Sequence, residues 1–298
     1  MTVDISDLLN RAWKIALNHK VLWAFGFLIS MTGFLIFPFM FAPMISLMQS
    51  ERIPAWLENP IYIAGWVALF GLYMLVVFLV NSVARPAIVL GALRANQDGP
   101  RLSFIGLLQA SLPFFWRFLG LNLLFTLASA VISFLITAIQ MVGMVLTMGL
   151  ASLCLTPLSF LVYPLLYVGL AWLELAEAAI VVDGLGVMDA ARRGWQVIRE
   201  NKLSILLLTL ILYLGVGLLT GVFILPLMAP FFALPFALED GETAGRILWL
   251  TGLCTLIYLP FFAVLQGAVL AFMKSGWLVG YLQLRRKSDA LTVAAPAA

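Results

Sequence analysis

Three charged residues stand at matching places within long apolar stretches of the sequence. Residues 83–91, which contain Arg85, align with residues 175–183, which contain Glu177, and Lys274 lies in phase in a third, less similar segment. Charges in a bilayer are costly unless they are paired, solvated or able to reach the interface. One acid between two bases therefore indicates a proton, ion or anionic-headgroup site, a mutual ion pair, or three markers of the membrane interface. Their distances from the starts of the apolar segments favour the interface.

A second pattern with chemical potential is a basic amphipathic stretch over residues 186–202. Its apolar or small residues and its polar residues both recur every three or four positions, which predicts a helix with one apolar and one charged face. Such a helix before an apolar span is expected to lie along the headgroup layer, where its basic side chains attract anionic lipid. The predicted lipid-binding residues are Arg192, Arg193, Arg199 and Lys202. Because they coincide with a membrane boundary, they indicate lipid and not nucleic acid as the partner.

Motifs for catalysis are absent from the sequence. It contains no GxSxG, HExxH or Walker loop, and its one histidine, His19, is followed by Lys20 at a helix-to-span junction. The two cysteines, Cys154 and Cys254, are too far apart in sequence for a metal-ligand spacing and are predicted to be apolar packing residues. We therefore expect a non-enzymatic protein without a metal or another cofactor.

The composition and the uncharged runs predict an all-α polytopic membrane protein. Of 298 residues, 63% are hydrophobic and 10% are charged, against roughly 25% charged in soluble domains. Residues 21–48 form an uncharged run of 28 residues. The uncharged run over 118–173 is too long for one crossing, so it predicts a hairpin with its turn within 148–157. The six predicted spans are residues 21–48, 60–84, two within 118–173, 203–238 and 247–273.

The amphipathic stretch occurs in three versions, which divide the chain into thirds. Four residues of the first version, Asp7, Arg11, Trp13 and Lys20, align with Asp189, Arg193, Trp195 and Lys202. The version at 104–119 is more apolar and supports the repeat by position. We predict three repeats of an interfacial amphipathic helix plus a helical hairpin, at about 1–98, 99–183 and 184–287. Together they would form one membrane domain over 1–287, followed by a disordered cytoplasmic tail over 288–298.

The distribution of lysine and arginine predicts the orientation in the membrane. Fifteen of the 17 basic residues fall on the side that holds both termini, and only Arg52 and Arg246 fall on the other. By the positive-inside rule, both termini are cytoplasmic. The predicted location is the bacterial cytoplasmic (inner) membrane, with residues 49–59 and 239–246 facing outward.

The run DAARRGWQVIRENK over residues 189–202, followed by a leucine-rich span, resembles the YciC-like bacterial membrane proteins. It is similar as well to the membrane domain attached to some glycerophosphodiester phosphodiesterases. Ser103 and Phe104 at the start of the second version, and the six-span layout, add to the resemblance. It implies a fold over nearly the whole chain. The catalytic domain of those phosphodiesterases has no counterpart here, so hydrolysis of a lipid substrate is not implied.

These patterns favour a non-enzymatic accessory, scaffold or assembly protein that organises membrane lipid, anionic in charge, or a membrane protein partner. The alternative is a small transporter or lipid-handling protein with a pathway between the three repeats, gated near Arg85, Glu177 and Lys274. A tightly packed apolar centre would favour the first function, and a polar, water-accessible cavity would favour the second.

Overall fold

A computed structural model describes residues 4–36, 59–97, 102–147, 162–237 and 241–294, and over these ranges the chain is helical without strands. The helices are α1 (Ile5–Asn18), α2 (Val21–Phe34), α3 (Pro60–Asn96), α4 (Phe104–Ser111), α5 (Phe115–Leu146), α6 (Val162–Asp183), α7 (Val187–Glu200), α8 (Lys202–Thr209), α9 (Val216–Ala237) and α10 (Gly241–Ala294). A 3-10 turn, Leu112–Phe114, joins α4 to α5, and a π-helix, Leu210–Gly215, joins α8 to α9. The predicted all-α class is confirmed.

Five helical segments are long and apolar enough to cross a bilayer: Pro60–Asn96, Phe104–Leu146, Pro164–Asp183, Lys202–Met228 and Gly252–Arg285. A sixth results if α1 and α2, which meet at a bend of 88°, count as one broken span. The described residues thus contain five or six helical segments that could span a membrane, in agreement with the predicted class. The three-repeat organisation stays a prediction. The turn predicted within 148–157 lies outside the described residues.

Two helices run well past the span ends that the sequence suggests. The second span was expected to end at Ala84, but α3 continues through Pro86 to Asn96. Proline removes one backbone hydrogen bond from a helix, and burial of the following turns, with Ala87 and Ile88 fully enclosed, offsets that loss. Similarly, α10 continues beyond Met273 to Ala294. Its backbone is thus helical over residues 288–294, where the sequence suggests a disordered tail.

The corner between α1 and α2 is held by a side-chain hydrogen bond. The indole Nε1 of Trp23 on α2 donates to the carbonyl oxygen of Ala16 on α1 at 2.7 Å. The buried side of α1 carries Leu8 and Ile15, which join the central core. Through these contacts α1 stays across the end of the bundle instead of continuing the direction of α2.

The helices α2 and α10 cross with their backbones in contact at two glycines. A Cβ atom added at Gly26 would lie 2.5 Å from the carbonyl oxygen of Gly267, and one at Gly267 would lie 2.6 Å from that of Trp23. No side chain fits such distances without movement of a backbone. By contrast, the GxxxG pair Gly217 and Gly221 on α9 meets no atom within 4 Å.

The core lies where one end of α3, one of α6 and one of α10 meet. Buried apolar residues such as Ile88, Leu175 and Trp277 fill this region. The opposite half of α3 is exposed along most of its length, for example at Ile61 and Val67. An apolar surface of this kind suits lipid tails and not water. The three charged positions of the sequence alignment fall in the buried end of the bundle.

Candidate functional site

The structure brings Arg85 of α3, Glu177 of α6 and Lys274 of α10 into direct contact. Arg85 Nη1 donates to Glu177 Oε1 at 2.9 Å, and Lys274 Nζ donates to Glu177 Oε2. One carboxylate is thus shared by two bases from different helices. Of the alternatives that the sequence alignment left open, the structure shows a mutual ion pair, between residues separated by about a third of the chain.

A fourth charge, Glu174, belongs to the same group. It lies one helical turn before Glu177, on the same face of α6, and accepts a hydrogen bond from Lys274 Nζ at 2.9 Å. We call these four residues, Arg85, Glu174, Glu177 and Lys274, the charge network. Their two negative and two positive charges cancel. The pairing of Glu174 was not predicted, because the alignment of the repeats marks only Arg85, Glu177 and Lys274 as matching positions.

The charge network is largely enclosed by protein. The side chains of Glu177 and Lys274 are 0% and 2% exposed, and that of Glu174 is 12% exposed. Arg85 is the most accessible member, with 26% of its side chain exposed. Residues that merely marked a membrane interface would point toward headgroups and water. The interface interpretation that sequence distances favoured therefore does not fit Glu177 or Lys274, because tertiary packing, not distance along a span, sets their surroundings.

Two asparagines complete the surroundings of Arg85. Arg85 Nε donates to Asn81 Oδ1 at 3.2 Å, and Arg85 Nη1 donates to Asn122 Oδ1 at 3.3 Å. Asn122 in turn donates to the carbonyl oxygen of Phe118 at 3.0 Å. The guanidinium is thereby oriented toward Glu177, and α5 is tied to the charge network. The only sequence signal for these two residues is an amide within an apolar span.

A second polar contact joins α6 to α10 about two to three helical turns beyond Lys274 on α10. Arg285 Nη1 lies 2.6 Å from Asp183 Oδ1, and the Tyr281 hydroxyl donates to Asp183 Oδ2. Asp183 is the last residue of α6, so the end of this helix is fixed against α10. Because Glu177 and Asp183 both bind α10, the two helices are held at two levels.

The basic amphipathic helix α7 docks on α6 through its small residues. A Cβ atom at Gly194 would lie 3.1 Å from the carbonyl oxygen of Trp172, and Trp172 Nε1 donates to the carbonyl oxygen of Ala191 at 2.8 Å. The large apolar residues Met188 and Trp195 are exposed. The predicted apolar face is thus divided: Ala191 and Gly194 contact α6, and Met188 and Trp195 remain available to lipid.

The predicted lipid-binding residues differ in accessibility. Arg192, Arg199 and Lys202 are exposed, whereas Arg193 is half-buried with its Nη1 3.5 Å from Gln196 Oε1. The guanidinium of Arg199 lies 5.6 Å from the ring centroid of Trp195, a cation–π contact. We call Arg192, Arg199 and Lys202 the basic face.

Residues with ordinary catalytic or metal-binding chemistry are scattered. Over the described ranges, no three His, Cys, Asp or Glu side chains are placed to hold a metal ion. His19 Nδ1 lies 3.3 Å from the carbonyl oxygen of Ile15, at the end of α1. Cys254 is exposed, and Cys154 lies outside the described residues.

Comparison with known proteins identifies one family. Residues 94–279 match the family described as Domain of unknown function (DUF7847). No curated protein and no solved structure matches the chain. The matched region includes α4 to α9, most of α10 and three members of the charge network, while Arg85 precedes it.

Proposed function

We propose a function from geometry, because the chain belongs to the DUF7847 family, whose function is unknown. The protein is a non-enzymatic accessory, scaffold or assembly protein of the bacterial cytoplasmic membrane. It organises anionic lipid, or a membrane protein partner, through the basic face on α7 and α8. In this proposal both termini and the basic face are cytoplasmic, and the chain is built from three repeats. The resemblance to the YciC-like proteins fits this proposal and stays a prediction.

The observation that carries the proposal is the contrast between the two groups of charges. The charge network is largely enclosed and formally neutral, and its members bind one another. The basic face is exposed and positive. Each basic residue near an anionic membrane surface contributes about 1 kcal/mol to association. The network therefore supports the packing of α3, α6 and α10, while the basic face supplies attraction for a ligand.

The docking of α7 supports this assignment. The Trp172–Ala191 hydrogen bond and the close approach at Gly194 hold the helix against α6. A fixed helix presents its arginines in a defined row, so little conformational freedom is lost when they meet headgroups. Exposed Met188 and Trp195 supply the apolar contacts that interfacial helices make with the boundary of the acyl region.

The test is lipid selection by variants of the basic face. The double variant Arg192→Gln/Arg199→Gln and the charge-conserving control Arg192→Lys/Arg199→Lys are reconstituted in liposomes with equal phosphatidylglycerol and phosphatidylcholine. The measurement is the ratio of the two lipids that co-purify in mild detergent. We expect the ratio to fall by up to about thirtyfold in the glutamine variant, at about 1 kcal/mol for each of the two charges, and to stay near the wild-type value in the lysine variant. An unchanged ratio in the glutamine variant would refute the lipid role of Arg192 and Arg199.

One observation favours the alternative function of a small transporter or lipid-handling protein. Arg85 is 26% exposed while it binds the fully enclosed Glu177, so the charge network is reachable from one side. A pathway between the repeats would then pass Arg85, Glu177 and Lys274. Proton flux into proteoliposomes, followed with an internal pH dye, should depend on Glu177 if this is correct. Equal flux in wild type and Glu177→Gln would argue against a proton pathway.

A further inference from the structure

An apolar groove of about 470 Å³ runs between α6 and the segment formed by α8 and the π-helix. Its floor consists of three buried residues, Ala171, Ile205 and Thr209. Its exposed walls are formed by Pro164, Tyr167, Val168, Leu206, Leu210 and Leu214. Lys202 lines one end of the groove, next to Ile198 of α7. This volume is within the roughly 300–1,000 Å³ of ligand pockets in proteins.

We infer that this groove holds one acyl chain of an anionic phospholipid, with the phosphate at Lys202. The inference rests on the proposed function and extends it, because it names the ligand and a discrete site beyond the surface of α7. Nearly all lining side chains are apolar. The hydroxyl of Thr209 on the floor already donates to the carbonyl oxygen of Ile205 at 2.7 Å. An apolar chain therefore suits the floor better than a polar ligand does.

The length of the groove matches one leaflet. From Lys202 to Leu214 the chain advances twelve residues, or about 18 Å at 1.5 Å per residue. A hydrocarbon core of roughly 30 Å has leaflets of about half that depth. The groove thus extends from the headgroup level to near the bilayer midplane, the course of a single acyl chain.

The π-helix shapes the inner half of the groove. Leu210 and Leu214, two wall residues, belong to the π-helix Leu210–Gly215. Isolated π turns widen a helix locally and occur frequently at functional sites. On the opposite wall the ring of Tyr167 packs near Tyr213, with centroids 6.0 Å apart. The groove is therefore bounded by two elements in contact and is a cleft, not a flat lipid-facing surface.

The distribution of charge gives the ligand its direction. Lys202 is exposed at the polar end of the groove, and Arg199 lies on the preceding helix. A lysine stem can lie along apolar surface while its ammonium reaches the headgroup layer. The other end, at Leu214, is apolar. An anionic phosphate at Lys202 with its tail toward Leu214 satisfies both ends.

Native mass spectrometry tests the inference. Delipidated protein in mild detergent is titrated separately with dioleoyl phosphatidylglycerol and dioleoyl phosphatidylcholine, and bound lipids are counted. The variant Leu206→Trp/Leu210→Trp places two indoles over the groove. We expect its first phosphatidylglycerol to bind at least about tenfold more weakly, which corresponds to the loss of about two buried methylene groups. Leu207→Trp is the matched control, because Leu207 is exposed on α8 without lining the groove.

A second variant tests the headgroup end. Lys202→Gln should lower the preference for phosphatidylglycerol over phosphatidylcholine about fivefold, the equivalent of about 1 kcal/mol per basic residue. Lys20→Gln is its control, since Lys20 is the aligned, exposed residue before α2 and does not line the groove. Lys202 is at the surface, so this variant is expected to fold whether or not the tryptophan variant does.

The outcomes separate the groove from the proposed function. Wild-type affinity in the tryptophan variant, no lipid bound by the wild type, or no preference between the two lipids would each overturn the inference. The Arg192→Gln/Arg199→Gln variant leaves the groove intact. If that variant keeps the wild-type lipid ratio while the tryptophan variant loses its first lipid, the groove stands and the role of the arginines falls. If the tryptophan variant keeps the wild-type affinity while the Arg192→Gln/Arg199→Gln variant changes the lipid ratio, the groove is rejected and the proposed function is retained.

Discussion

Replacing Glu177 by glutamine should lower the free energy of unfolding more than the neutralisation of any other single acidic residue. The change removes one of the two negative charges in the charge network and leaves Arg85 and Lys274 with Glu174 alone. Glu174 pairs with Lys274, so within the described residues the hydrogen bonds left to Arg85 would be those to the amides of Asn81 and Asn122. Breaking an enclosed ion pair by removing one partner costs about 3–5 kcal/mol. We expect the free energy of unfolding to fall by that amount.

Two further variants test whether the cost arises from shared charge. Glu174→Gln breaks one contact at 2.9 Å, at a side chain that is 12% exposed, so water can partly replace it. We expect a loss of about 1–3 kcal/mol. Glu177→Gln combined with Lys274→Met restores neutrality by leaving one acid and one base. Because enclosed ion pairs can be replaced by apolar residues at little cost, the double variant should be more stable than Glu177→Gln alone. The coupling should be about 0.5–3 kcal/mol.

The assay is equilibrium unfolding in mixed micelles of mild detergent and SDS, followed by tryptophan fluorescence. Asp189→Asn provides the control for loss of an acid on the surface, because Asp189 is exposed on α7. Exposed ion pairs contribute about 0–1 kcal/mol, so the control should lie close to wild type. If Glu177→Gln is no less stable than Asp189→Asn, or equals Glu174→Gln, the network does not hold the three helices together as argued.

Three other predictions concern packing and topology. Gly26→Ala should destabilise the protein by about 1–3 kcal/mol, because the added methyl group would overlap the backbone of α10. Gly33→Ala is the control on the same helix, because a Cβ atom there meets no atom within 4 Å. Its SDS midpoint should equal or exceed that of the wild type. Trp172→Phe removes the hydrogen bond from α6 to α7 and should lower the free energy of unfolding by about 0.5–1.5 kcal/mol. Proteolysis of α7 should become faster. A rate equal to that of the wild type would show that α7 is held by other contacts. A cysteine at Asn59 in intact cells should react with an impermeant reagent and one at Ser288 should not, and labelling of Ser288 would reverse the orientation predicted by the positive-inside rule.

The features predicted correctly from sequence are those that depend on local periodicity. Uncharged runs of sufficient length predict membrane-spanning helices whatever the rest of the chain does, because an unpaired backbone is too costly in lipid. The basic helix α7 was expected from its three- and four-residue spacing, and it is present over Val187–Glu200. A mutual ion pair of Glu177 with Arg85 and Lys274 was one alternative, because alignment of the repeats placed the three charges at corresponding positions, but their distances along the spans favoured the interface.

The features missed from sequence depend on which helices meet. Glu174 has no local mark that distinguishes it from an acid at the membrane surface; its role follows from the approach of Lys274, 100 residues away. Likewise, Gly26 and Gly267 are two glycines among 23, and only the crossing of α2 and α10 places their backbones in contact. The end of α3 was predicted too early for a related reason. The helix passes through Pro86, because burial of the following turns outweighs the lost hydrogen bond.

The sequence by itself determined the class of protein, the apolar segments and the rows of charge along each helix. These follow from the free energy of placing a residue in lipid or water, which acts on each segment independently. Tertiary structure alone decided which charges are neutralised and which stay exposed. Glu177 and Arg192 are both ionisable residues on helices next to apolar segments, yet one is enclosed between two bases and the other is exposed. The difference arises because an ion pair needs both partners within a few ångströms, and that distance is set by how the helices pack.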